Sequence, residues 1–184
     1  MKDTGMKRMR QLAAAISRAA LALPILGSLG LASARADEAM IEGCLKAAAE
    51  LHQVPAGVLV LLLSVEAGRL GEVSQNTNDT VDIGPMQVND TWVPKIAGHW
   101  RASPDAAYRA LRDNFCANVE GGAWILRQAL DEAHGDLWKG VALYNSHDPV
   151  LKLEYMQLVY AQAMRLKRES ERELASADSN AGGR

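Results

Sequence analysis

The sequence predicts a mainly helical domain with at most one short β-hairpin, and three observations carry that prediction. Apolar residues recur at helical spacing in segments from Glu38 to about Leu174, and cap residues and prolines stand where those segments begin. Strand signal is confined to Thr80–Ile83, a candidate hairpin arm, and no internal repeat is visible.

In chain order, Lys7-Arg-Met-Arg10, the largely apolar stretch Ala19–Leu31 and Ala34-Arg-Ala36 match the three parts of an export signal with an A-x-A cleavage site. Residues 1–36 therefore read as a signal peptide, with the mature chain starting at Asp37. Arg18 makes Gln11–Leu31 a poor membrane span, which leaves an uncleaved anchor as the weaker alternative. Asp37 can cap a first helix, Glu38–His52, with Met40, Cys44 and Ala47 or Ala48 on one face. Pro55 suits the first position of a second helix that ends at Glu66, with Gly68 as its terminator. Ser103-Pro-Asp105 starts a third helix, Pro104–Arg112, and Asn118–Glu132 forms a fourth. Gly121-Gly122 admits another backbone there, at about 1 kcal/mol of helix propensity each. Asp136 opens a short helix that delivers Tyr144-Asn145, and the last helix runs from Val150 to about Leu174. Its apolar positions are Leu151, Tyr155, Leu158, Val159 and Met164, followed by the charged run Arg165–Glu173, read as a solvated helix end. The domain thus spans 37–175, and residues 176–184 read as a disordered tail.

Residues 1–36 hold six of the 20 Lys and Arg but one of the 22 acids. The 148 residues that remain suit one domain and carry 14 basic and 21 acidic residues, a formal charge of −7. That balance argues against nucleic acid as a partner, since phosphate binding relies on clustered positive charge. Cys44 and Cys116 are an even pair in an exported chain, which favours a disulfide over two buried free thiols. His52, His99, His134 and His147 show no H-x-x-x-H spacing, so no metal site and no cofactor is expected.

The chemistry concentrates between Pro55 and Asn89. The run Val58-Leu-Val-Leu-Leu-Leu63 ends on Glu66, and a carboxyl against an apolar wall holds its proton above its solution pKa, as a general acid must. The bland alternative is the polar end of a core helix, its head in water. The loop from Ser74 to Asn89 carries five neutral amides and no Lys or Arg, a set that matches sugar hydroxyl and acetamido groups. Asp79 and Asp82 are candidates for a second carboxylate, although both read first as loop organisers. Met86 is a candidate ring contact with packing as its alternative. Trp92, Trp100, Trp124 and Trp138 are core candidates, and only Trp92 lies near enough to the loop to line a groove.

Glu66-Ala-Gly68, Gly84-Pro-Met-Gln-Val-Asn89 and Tyr144-Asn145, in that order, resemble the E-S-G, G-L-M-Q-I-N and A-Y-N-A-G elements of the soluble lytic transglycosylase (SLT) family. The wording is most similar to the small single-domain members found with conjugation, pilus and secretion machines. Two departures stand out: Ala67 replaces the usual serine, and Ser146-His147 replace the usual alanine-glycine. The resemblance implies a lysozyme-like (α+β superfamily) helical domain, akin to goose-type lysozyme, that cleaves the MurNAc-GlcNAc bond of peptidoglycan to leave 1,6-anhydroMurNAc. It implies Glu66 as the catalytic acid and then base, and Gln87, Asn89, Tyr144 and Asn145, with Met86, around the sugar. The expected protein is a monomer in the periplasm, or released from it, without a membrane span once the signal is cut. Its expected partners are glycan strands and components of an envelope apparatus. The rivals are a goose-type hydrolase and a catalytically silent glycan-binding assembly factor.

Overall fold

The structure, a computed structural model, describes residues 26–181. The chain divides into two units, residues 1–40 and 41–184. The first holds the opening turns of α1, Leu26–His52, and every other element belongs to the second.

Among the described residues seven α-helices and a small sheet follow one another, a mainly helical architecture with one antiparallel corner. Helix α1 runs unbroken through Asp37, so that residue is no cap; no glycine or proline interrupts residues 31–52 except Gly43. The cleavage site expected at Ala36 falls inside this helix, and the n-region expected before it lies outside the described residues. No described helix is long and apolar enough to cross a membrane.

Helix α2, Ala56–Glu66, starts after Pro55, which holds an extended conformation as the cap. It ends on Ala67 in the left-handed region (φ 48°), whose N–H donates to the Leu63 carbonyl; the expected terminator, Gly68, serves another purpose described below. Strands β1 (Val73–Gln75), β2 (Val81–Ile83) and β3 (Val88–Asn89) form an antiparallel sheet in that order. Val73 pairs with Ile83, and Asp82 with Asn89. A 3-10 turn, Asp90–Trp92, leads into α3, Val93–Trp100, an element the sequence conceals because Pro94 and Gly98 stand inside eight residues.

Helices α4 (Pro104–Asp113), α5 (Phe115–Glu132) and α6 (Leu137–Asn145) begin at side-chain caps: Ser103, Asn114 and Asp136 accept from the N–H of Ala106, Ala117 and Lys139. Asn114 moves the start of α5 one turn ahead of the expected Asn118. Helix α7, Pro149–Ala181, is capped by Asp148, whose carboxylate accepts from Val150 and Leu151 N–H. It also runs past the expected end. Residues 176–181, expected in a disordered tail, are helical, because no glycine or proline interrupts the chain before Gly182.

The core gathers Leu59 and Leu62 of α2, Ile83 and Val88 of the sheet, Met86, Val119 and Leu126 of α5, Val141 of α6 and Val159 of α7. Leu59 and Leu62 are fully buried, and each such side chain contributes about 1.5–3 kcal/mol. Helix α5 packs against α2, α4, α6 and β3. The Cys44–Cys116 disulfide ties α1 to the first turn of α5, with Cα atoms 5.0 Å apart. Among the tryptophans, Trp138 is exposed, contrary to its expected core position, since it faces outward from the amphipathic first turn of α6.

Candidate active site

Glu66 is the last residue of α2, where the helix dipole disfavours negative charge. Its pKa rises from an ordinary 4.5 to about 7, chiefly because burial strips water from the carboxylate. Asp82 adds repulsion, while the Tyr155 hydroxyl works in the opposite direction by donating to Glu66 Oε1 at 2.6 Å. Burial and the carboxyl in turn hold the Tyr155 phenol far above its ordinary range, so it remains a donor. The sequence reading missed Tyr155 in this role. The available signal was an aromatic hydroxyl at an apolar position of α7, since a buried phenol requires a partner.

Gly68 explains why the chain continues Glu-Ala-Gly. A Cβ there would sit 2.1 Å from the Gly84 carbonyl oxygen and 2.5 Å from Gln87 Nε2, so only glycine lets the end of α2 lie against the loop. The loop is pinned from the other side by Asn118 of α5, which is fully buried. Its Oδ1 accepts from Met86 N–H at 2.7 Å, and its Nδ2 donates to the carbonyls of Ile83 (2.9 Å) and Leu111 (2.8 Å). Gly84, at φ +66°, leaves room for that amide, which a Cβ would approach to 2.5 Å.

These constraints shape an open groove of about 720 Å³ that brings together Glu66, Gln87, Asn89, Tyr144 and Asn145, with Trp92 in its wall. Gln75, Asn76 and Asn78 add further amides, and among the described lining residues none is Lys or Arg. Trp100, Trp124 and Trp138 do not line it.

One expected groove residue, Met86, is corrected, and two that do line the groove, Asn89 and Tyr144, gain detail. Met86 does not reach the groove: its side chain is fully buried against Gly122, where only a residue without Cβ leaves space. Asn89 lines the groove with its amide already saturated. Its Nδ2 donates to Thr80 Oγ1 (2.9 Å) and Asp82 Oδ1 (2.8 Å), and its Oδ1 accepts from Thr91 N–H and Oγ1. It therefore organises the loop. Tyr144 presents its ring to the groove while its hydroxyl donates to the Met86 carbonyl at 3.0 Å, and burial raises that phenol's pKa well above its ordinary value. Gln87 donates to the Gly84 carbonyl at 2.9 Å.

Of the two acidic candidates, Asp82 lines the groove and is held by Asn89, whereas Asp79 sits at φ 64° in the β1–β2 turn, outside the lining. The Ser146-His147 departure is accommodated locally. Ser146 Oγ accepts from Asp148 N–H at 3.0 Å, His147 pairs with Glu132 at 2.9 Å, and the segment passes directly into the α7 cap.

Three residues with metal-ligating side chains come together away from the groove, which the sequence did not suggest. His52, His99 and Glu120 each offer one ligand atom within 4.8 Å of the others. No protein-family model matches the chain, and a search of curated proteins finds no match.

Proposed function

We propose that the protein is a peptidoglycan lytic transglycosylase that cleaves the MurNAc-GlcNAc bond and leaves a 1,6-anhydroMurNAc end. The carrying observation is Glu66: a carboxyl held near pKa 7 by burial, with a phenol hydroxyl on one oxygen, at a groove lined by amides. At neutral pH a large fraction of such carboxyls carries a proton, and a general acid needs that proton for the leaving oxygen. As the glycosidic bond breaks, Glu66 gives its proton to the departing GlcNAc oxygen and becomes a carboxylate. The acetamido oxygen of MurNAc supports the positive charge at its anomeric carbon. The carboxylate then takes the proton of the C6 hydroxyl while that oxygen closes on the anomeric carbon, so Glu66 ends protonated and no water is consumed. Tyr155 keeps one carboxyl oxygen fixed throughout, which leaves the other for proton transfer.

The setting belongs to the same proposal: export by residues 1–36, action in the periplasm, and local opening of the wall for a secretion, conjugation or pilus apparatus. A hydrolase is the second reading, favoured by the presence of Asp82 in the groove. An inverting or retaining hydrolase uses a second carboxylate to activate water or attack the sugar, but Asp82 is engaged by Asn89 in the sheet register. Mass analysis of fragments released from purified sacculi decides between them. Anhydro ends, one water lighter than hydrolysis products, support the proposal; hydrated ends refute it, and no release at all supports a silent binding protein.

A further inference from the structure

We propose that His52, His99 and Glu120 form a binding site for a divalent transition-metal ion, with zinc the best match to its ligands. The three come from different helices, His52 from the last turn of α1, His99 from α3 and Glu120 from α5, and none lines the groove. Two neutral imidazoles and one carboxylate are a borderline donor set that suits zinc, leaving a fourth position for water.

The three ligand atoms lie within 4.8 Å of one another, and one pair already has the spacing of a bound site. Ligand atoms about 2.0–2.1 Å from a tetrahedral zinc lie roughly 3.3 Å from each other, and His99 Nε2 lies 3.3 Å from Glu120 Oε1. His52 Nε2 is 2.6 Å from the same oxygen, a hydrogen bond that must open by roughly 0.7 Å to reach that ligand spacing when an ion enters. His52 then binds with its proton on Nδ1.

The ligands are also held from behind, as metal ligands are in working sites. The Trp100 indole N–H donates to Glu120 Oε2, which turns Oε1 toward the histidines. The His99 ring stacks on Trp124 at 4.9 Å and 17°. Cys116 lies one helical turn before Glu120, so the disulfide to Cys44 of α1 fixes the helix of His52 against that of Glu120 before any ion arrives. His52 is buried, whereas a third of the His99 side chain is exposed and provides the entrance.

The test is a titration of the purified, chelator-treated protein, free of any histidine tag, with Co²⁺ followed by visible absorption and with Zn²⁺ followed by calorimetry and thermal melting. The expected result is one ion per chain, cobalt bands of four-coordinate intensity, and a melting temperature raised by zinc. His99→Ala and Glu120→Gln should each weaken binding at least ~10-fold, the lower end of losses seen even for outer contacts. His147→Ala, which removes the exposed histidine paired with Glu132, should leave binding unchanged. His99→Ala keeps the test meaningful should Glu120→Gln fail to fold, because His99 is partly exposed. Absence of saturable binding, or binding that both ligand variants retain in full, overturns the proposal and leaves a hydrogen-bonded histidine-glutamate-tryptophan cluster.

Discussion

Replacing Glu66 with glutamine separates its chemistry from its burial. Glutamine keeps an oxygen to accept from Tyr155 but has no transferable proton and never ionises. The parent carboxyl titrates at about 7 in the fold and at 4.5 ordinarily. At ~1.4 kcal/mol per pKa unit, ionising it in the folded state costs about 3 kcal/mol, a ceiling because the groove is open to solvent. The sign is fixed by linkage. Between these two values the folded chain holds a proton that the unfolded chain has released, so parent stability falls as pH rises through this window and levels off above about 7. Below pH 4.5 both states are protonated and the pH-dependent advantage of Glu66→Gln vanishes. At pH 8 the variant should gain up to about 3 kcal/mol relative to its difference at pH 4, or ~6–12 °C in melting temperature at ~2–4 °C per kcal/mol. Turnover on sacculi should fall by ~10²–10⁴. Paired thermal melts from pH 4 to pH 8 and product analysis provide the assay. A stability difference that stays constant with pH, or near-parent turnover in the folded variant, refutes the reasoning.

Four further outcomes follow from the same contacts. Tyr155→Phe removes the bond that favours the Glu66 carboxylate, so the alkaline limb of the kcat/KM profile should move to higher pH; an unchanged limb would show that the hydroxyl does not act on Glu66. Asn118→Ala strands Met86 N–H and two carbonyls at ~1–3 kcal/mol each, and denaturant unfolding should show a loss of at least ~3 kcal/mol. Gln87→Ala should weaken glycan binding by about 0.5–1.5 kcal/mol with little effect on melting, whereas Asn89→Ala should lower both, because its amide holds Thr80, Asp82 and Thr91. Reducing the disulfide opens a loop of 72 residues and should cost about 4 kcal/mol in a melt, with no free thiol detectable beforehand.

The legible parts of the fold are those with local chemical signatures. Helices α4 and α6 announce themselves through Ser103 and Asp136, and the hydrophobic run of α2 marks Glu66 as a desolvated acid. Strands β1 and β3 were hidden because two or three residues, three of the five polar, show no alternation. The terminator of α2 was misplaced by one residue because glycine is the usual left-handed residue, yet here close packing claims Gly68 and Ala67 takes the strained position. Tyr155 is 89 residues from Glu66, and the three histidine-cluster residues come from three helices, so no spacing rule could join them. Met86 was legible as a position of the loop but not in its direction, which depends on the absence of a side chain at Gly122.

From Ala117 to Arg127, eleven consecutive residues of α5 include none that is exposed. Three turns of helix thus show solvent only a half-buried stripe, Ala117, Glu120, Trp124 and Arg127, where an ordinary surface helix shows a fully exposed polar one. This segment cannot swell, tilt or fray without disturbing every layer around it, so opening it requires energy close to that of unfolding the domain. Because Asn118 fastens the loop to this segment, the groove has one wall that behaves as a fixed reference. Any breathing that admits a ligand must then come from the hairpin edge at exposed β1 or from the α6–α7 connection. In evolutionary terms the same enclosure removes the freedom that surface positions normally enjoy. Substitutions at the seven buried positions among these residues must answer to neighbours on all sides, whereas the outward-facing positions of α7 are free to drift.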